Sequence, residues 1–231
     1  MISAEQRVTE LQTQAEDWDL RSALQWGLSE FGISLAIAAS FGAEDMVLID
    51  QASKLGQPFR VFTLDTDFLF PETYALIDAV EKRYGIQVER THSEFTPKQQ
   101  AMRYGDSLWA SQPDQCCQLR KVEPLKKMLS GLKAWVTGVR RDQAPTRAHT
   151  RKLEWDSKFG LLKLNPIADW NWNQVWEYIR AYNVPYNPLH DQNYPSIGCT
   201  HCTRPVQAGE DPRAGRWSGF NKIECGLHLK S

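Results

Sequence analysis

Between Ile33 and Ala39 (ISLAIAA) the chain carries a short, almost unbroken apolar run, the pattern of a strand buried on both faces. Upstream, Val8, Leu11, Ala15 and Trp18 fall roughly on one helical face. Leu20, Leu24 and Leu28 resume that period after a break, so residues 1–31 read as helical. A polar turn, Ser40 to Asp45, leads into a predicted helix from Met46 to Leu55. Phe59 to Leu64 (FRVFTL) reads as a second strand, ending at Asp65-Thr66. Pro71 then sits where a helix favours proline, followed by Leu76, Ile77, Val80 and Tyr84 at helical spacing. A third strand is expected from Ile86 to Glu89 and a later one from Ala134 to Thr137 (AWVT). Strands alternating with helices imply right-handed βαβ units and a parallel sheet flanked by helices. From about Pro185 the periodicity ends and Pro, Gly, Asn and Cys become frequent. The chain therefore divides into an α/β unit, residues 1–185, and a C-terminal segment, residues 186–231, organised by something other than an apolar core.

Composition narrows the class. The 231 residues are 42% hydrophobic and 24% charged, enough for a sizeable core. Lys and Arg number 27 against 28 acids, a net charge of −1 that argues against a nucleic-acid coat protein. No apolar run reaches membrane-span length, and Met1 to Glu10 lacks a signal-peptide core, so a cytoplasmic protein without a membrane partner is expected. Five cysteines, an odd number, argue against a disulfide framework.

Three segments carry candidate chemistry. In an open α/β sheet, ligands bind beyond the carboxyl ends of the strands. Ser40 to Asp45 is such a strand end: exposed N–H groups at a helix start favour an anion, Gly42 permits close approach, and Ser40 adds a hydroxyl. Capping alone would also explain these residues. The turn is neither a Walker loop nor G-x-G-x-x-G. After AWVT, Gly138 is followed by Arg140, Arg141 and Arg147, guanidinium groups suited to phosphate or sulfate. A solvated loop or an RNA-binding patch extended by Arg151 and Lys152 is the other reading; the strand end and near-zero net charge favour a small anion. Third, Cys116-Cys117 and Cys199-x-x-Cys202 offer four thiolates, suited to a [4Fe–4S] cluster or a structural zinc. The vicinal pair favours the larger group. Lys121 lies just beyond it. Cys225 remains, on a tail with Arg213, Arg216, Lys222 and His228 nearby to favour the thiolate.

Together these segments resemble the assimilatory adenylyl-sulfate (APS) and phosphoadenylyl-sulfate (PAPS) reductases. The likeness runs through SFGAED (Ser40 to Asp45), LDT (Leu64, Asp65, Thr66), FPETY (Phe70 to Tyr74), and CC-x-x-RK-x-x-PL (Cys116 to Leu125). It continues through TG-x-RR-x-Q-x-x-TR (Thr137 to Arg147), GC-x-x-CTRP (Gly198 to Pro205) and the terminal ECGLH. Many relatives have glycine where this chain has Asp67, and often serine at Ala144.

The resemblance implies an adenine-nucleotide α-hydrolase-like fold, Rossmann-like, whose cofactor-type contacts come from Ser40, Phe41, Gly42, Leu64, Asp65, Thr66, Gly138, Arg140, Arg141 and Arg147. It implies one [4Fe–4S] cluster on Cys116, Cys117, Cys199 and Cys202, a set that goes with the APS-using branch. Cys225 would be the nucleophile, with Arg213, Arg216, His228 and Lys121 assisting catalysis. The implied reaction converts APS to sulfite and AMP through a Cys225 S-sulfonate. With four thiols held, none remains to resolve that adduct, so thioredoxin is the expected reductant. PAPS as substrate, a pyrophosphate-loop ATP enzyme with a cluster, and homo-oligomerisation stay open.

Overall fold

The structure is a computed structural model that describes residues 4–220, 222 and 224–227. Helices α1 (Ala4–Ala15) and α2 (Leu20–Phe31) take up the two halves of the N-terminal periodicity. The break between them ends at Asp19, whose carboxylate accepts from the Ser22 N–H at 2.7 Å and caps α2. The apolar run yields β1 (Leu35–Ala38), and α3 (Ala43–Ser53) follows. That helix starts three residues before its predicted onset, because Gly42 caps it and Glu44 and Asp45 suit the positive end of its dipole. Strand β2 (Arg60–Asp65), helix α4 (Pro71–Tyr84, with Pro71 at its start) and β3 (Val88–His92) complete the first half.

Helices α5 (Pro97–Tyr104), α6 (Leu108–Ser111), α7 (Pro113–Cys117) and α8 (Glu123–Leu129) carry the chain back to β4 (Ala134–Val136). Between α7 and α8 the chain widens into one π-type turn, Gln118–Val122. Pro124, which has no N–H to close an ordinary turn, accounts for the widening. A hairpin, β5 (Leu153–Asp156) and β6 (Leu161–Leu164), precedes the last helix, α9 (Trp172–Ala181).

The strand order is β3-β2-β1-β4-β6-β5. Every neighbouring pair is parallel except β5 with β6, so the expected parallel sheet becomes a mixed one at its edge. Strand alternation divides the core: Leu35, Ile37, Val61, Ala134 and Val136 face α1–α4 and α9. Ala36, Phe62 and Trp135 point to the opposite face, which Leu125 and Leu129 of α8 cover. Chain order reverses between β1 and β4, and this switch point opens a crevice at their carboxyl ends.

Beyond residue 185 the described residues hold two short 3-10 helices, Pro188–Gln192 and Thr200–Cys202, in otherwise irregular chain. This segment is tied to the α/β unit by a bridge from Leu69 to Cys199 and folded on itself by another from Thr203 to Arg216.

Candidate active site and cysteine centre

At the switch point lies a cleft of about 350 Å³. One wall comes from the turn after β1. Gly138, after β4, closes against that turn: a Cβ there would stand 2.8 Å from both Asp45 Oδ1 and Glu44 Cβ, so only glycine fits. Asp45 is buried and accepts from the Ser40 N–H (2.7 Å) and hydroxyl (2.9 Å). The Ser40 hydroxyl is therefore spent inward and presents acceptor lone pairs, not a donor, to the cleft. Burial, and next the Glu44 charge, push Asp45 up to about 7.

Leu64 and Thr66 from the end of β2 line the cleft, as do Gly42, Arg140, Arg147, Arg213, Arg216, Lys121 and Cys225. Three of the expected contacts point elsewhere. Phe41 adopts a left-handed φ of 62° that turns its ring into the core, where it is fully buried. Asp65 is held beneath the turn, accepting from the Tyr74 hydroxyl (2.7 Å) and the Asp67 N–H (3.0 Å). Arg141 leaves the crevice to donate to the Thr150 carbonyl (2.8 Å) and to pair with Glu16. His228 lies outside the described residues.

The arginines that remain are already engaged. Arg140 binds Glu44 at 2.9 Å and pairs with Asp142. Gln143, not singled out in the sequence, braces the loop: it donates to Glu44 (2.8 Å) and accepts from Arg147 Nη1 (2.6 Å). Arg147 Nε and Nη2 donate to the two carboxylate oxygens of Glu224, each at 2.9 Å. Arg213 reaches the same carboxylate at 3.2 Å. Arg216 donates to Ser196 Oγ (3.1 Å) and the Ile197 carbonyl (3.2 Å), with its guanidinium over the Trp217 ring. A Cβ on Gly198 would come 2.4 Å from Arg216 Nη2, so that glycine keeps the arginine's seat open.

Beside the cleft, Cys116, Cys117, Cys199 and Cys202 line a second, smaller hollow with Phe68, Trp109, Arg120 and His201. None of the five cysteines is in a disulfide. Burial and then the neighbouring sulfurs push Cys116 up to about 12 and Cys202 up to about 11. Burial also raises Cys117, against the pull of Lys121 and Lys222. Four thiolates in such a hollow require a cationic centre to hold them ionised. A tetrahedral zinc with Zn–S bonds of about 2.3 Å would draw the sulfurs to within roughly 3.8 Å of one another. Among the described residues, a set of three potential ligand side chains with donor atoms all within 4.8 Å of one another occurs at Asp65, Asp67 and His92, and not among any three of these cysteines. The donor set thus fits a larger, multi-iron group better than one small ion.

Lys121, on the widened turn, lines both the cleft and the hollow. Burial works against its charge, but Cys199, Cys225 and Cys117 outweigh that and hold its pKa above the ordinary lysine value. Thr66 also touches both, lining the cleft with its hydroxyl 3.2 Å from Cys199 Sγ. No described helix is long and apolar enough to cross a membrane.

Comparison with known proteins agrees with this geometry. The sequence profile of the phosphoadenosine phosphosulfate reductase domain matches residues 34–205. A protein of Bacillus subtilis (strain 168) named adenosine 5'-phosphosulfate reductase 2 is 49% identical over 211 residues, covering 91% of this chain and 89% of that one. One from Halalkalibacterium halodurans, named adenosine 5'-phosphosulfate reductase, is 48% identical and covers 98% of each chain. A crystal structure of phosphoadenylyl-sulfate (PAPS) reductase from Candida auris, a phosphate complex, superposes with a TM-score of 0.78 at 30% identity, over 88% of this chain and 99% of that one. Candida glabrata FMN adenylyltransferase, at 17% identity, shares the fold with a TM-score of 0.60, over 92% of this chain and 72% of that one.

Proposed function

Since the chain belongs to the phosphoadenosine phosphosulfate reductase domain family, we propose that it reduces adenosine 5'-phosphosulfate to sulfite and AMP, as in sulfate assimilation. The observation that carries this reading is the division of the five thiols. Four line the smaller hollow, and Cys225 is the cysteine that lines the cleft at the switch point. The nucleoside occupies the β1 and β2 ends near Leu64 and Thr66, and the phosphosulfate faces Lys121 and Arg216. Cys225 thiolate attacks the sulfate sulfur; the S–O bond to AMP breaks and AMP leaves with that electron pair. The Cys–S–SO₃⁻ adduct then needs two electrons. A dithiol attacks Cys225 Sγ and expels sulfite, and its second thiol breaks the mixed disulfide. Thioredoxin supplies that dithiol, because no described cysteine besides Cys225 lines the cleft. Lys121 and Arg216 offset the anionic charge during attack.

Cys116, Cys117, Cys199 and Cys202 would hold one [4Fe–4S] cluster. When bound, such a cluster supplies a charged centre that orders the vicinal-cysteine turn and sets the field at Lys121, while the electrons come from thiols. Five free cysteines suit a reducing, cytoplasmic setting. The preference for APS over PAPS rests on the four-cysteine set and on relatives at 48–49% identity that bear the APS reductase name.

The test is anaerobic purification, metal analysis, and sulfite release with thioredoxin on each nucleotide. The expected result is about four irons per chain and a kcat/KM for APS at least about a hundredfold above that for PAPS. Stoichiometric zinc would sink the cluster, and a preference for PAPS would overturn the substrate.

A further inference from the structure

The two arginines nearest the Cys225 tail are already bound to the tail itself. Glu224 immediately precedes Cys225 and is buried, at 8% exposure. Its carboxylate takes a two-pronged bond from Arg147, a bond from Arg213, and one from the Thr146 hydroxyl at 3.3 Å. Arg147 spends Nη1 on Gln143, so all three of its nitrogens are committed within the chain. The other tail contacts are weaker anchors. Lys222 pairs with Asp114, a carboxylate whose side chain is 88% exposed. Lys158, itself exposed, reaches the Gly226 carbonyl at 2.5 Å, and Leu227 packs against the apolar face near Phe159. Among the described tail residues, the Glu224–Arg147 pair is thus the ion pair in which neither side chain is more than 10% exposed.

We propose that Arg147 and Glu224 are a docking pair that positions the Cys225 tail in the cleft, and that Arg147 serves this latch instead of holding the substrate's anionic groups. Arg213, at the rim of the same carboxylate, supports the latch. Two charged groups forming a bidentate bond at low exposure give a geometry that a neutral side chain cannot reproduce. Glu224 therefore fixes where Cys225 Sγ stands without itself touching a reacting atom. The catalytic half of this inference rests on the reductase reading; the docking half does not.

The test uses the full-length holoenzyme, prepared anaerobically, and has two arms. In the first, without nucleotide, iodoacetamide labelling of Cys225 is timed by peptide mass mapping across pH. The limiting rate at high pH, where the thiol is fully ionised, removes the ionised fraction from the comparison and reads access, with a smaller contribution from the thiolate's intrinsic reactivity. Glu224→Gln and Arg147→Gln should each raise that limit about tenfold or more, and the double variant should go no further than about twofold beyond either. Glu224→Asp, which keeps the charge on a shorter stem, should fall between. A Glu224→Gln limit within about twofold of the wild type overturns the latch, as does full additivity in the double variant.

In the second arm, uptake of SO₃ by Cys225 is followed with APS and no reductant. Glu224→Gln should slow uptake at saturating APS about tenfold while half-saturation moves less than about threefold. An unchanged saturated rate with a large rise in half-saturation would show Arg147 and Glu224 acting on substrate binding, and would overturn the assignment. If the wild type takes up no SO₃, the reductase reading fails while the labelling arm still decides the latch.

Discussion

Asp45 is the acid whose ionisation the fold opposes most, because it is buried beneath the turn that Ser40 and Gly42 form. Its pKa stands at about 7 against an ordinary 3.8, with burial as the first cause and the Glu44 charge as the second. The unfolded chain thus gives up this proton first, so stability falls as pH rises from about 4 through about 7 and levels off above. Glu224 runs the other way: held below its ordinary pKa by Arg147 against the cost of burial, it loses its contribution only as pH falls in the acid range. Denaturant titrations of Asp45→Asn and wild type at several pH values should therefore diverge between pH 4 and 7, by up to roughly 4 kcal/mol. Parallel curves would contradict the burial of a charge-labile acid there. Single residues were unevenly legible in the sequence. Cysteines declare themselves because so few roles suit a CC pair with a C-x-x-C. Phe41 and Arg141 misled because neighbours in a motif need not face one way, and a left-handed φ at Phe41 reverses its side chain. Glu224 stands in the ECGLH motif, but its role gave no signal, since that depends on where a distant tail lands.

Among the elements, the four parallel strands from β1 to β4 were readable and the β5–β6 hairpin at one edge was not. Within ISLAIAA and FRVFTL, Leu35–Ile37 and Val61–Thr63 are buried on both faces, so composition alone marks them. The β5–β6 hairpin hid behind Glu154 and Lys163, which face each other across the hairpin and are buried at 3.5 Å as an ion pair. That pairing of far-from-apolar residues makes a strand look like a surface loop. The π-type turn at Gln118–Val122 was equally hidden, yet it carries Lys121 to the boundary of the two hollows. The segment around Gly198 offers a test at this scale. Its amide chain carries Cys199 on one side, while its bare Cα leaves room for Arg216 on the other. Gly198→Ala should displace the guanidinium from Ser196 and Ile197 and lower kcat/KM for APS by about tenfold or more, with iron content retained. Steady-state sulfite assays beside metal analysis check this; unchanged kinetics would show that the Arg216 seat does not matter to the reaction.

At the scale of the whole molecule, strand order decides where the chemistry sits. Reversal between β1 and β4 opens the cleft, and the long return from β3 to β4 brings the vicinal cysteines alongside it. The C-terminal chain then closes both sites, giving Cys199 and Cys202 to the hollow and Cys225 to the cleft. The α/β class and the four-plus-one division of thiols were legible because they rest on periodicity and on rare residues. The place of Lys121 beside the vicinal cysteines pointed to a link between the two sites, whereas the contact of Thr66 with Cys199 gave no sign, because it joins segments far apart in the chain. The central claim is that Cys225 alone takes the sulfonate and cannot release it unaided. It is tested most directly by intact mass and peptide mapping of the anaerobic protein after incubation with APS and no reductant. A gain of one SO₃ per chain, confined to Cys225, absent in Cys225→Ser and discharged as sulfite by reduced thioredoxin, is the expected result. Sulfite release without an added dithiol, or an adduct that survives in Cys225→Ser, would contradict it.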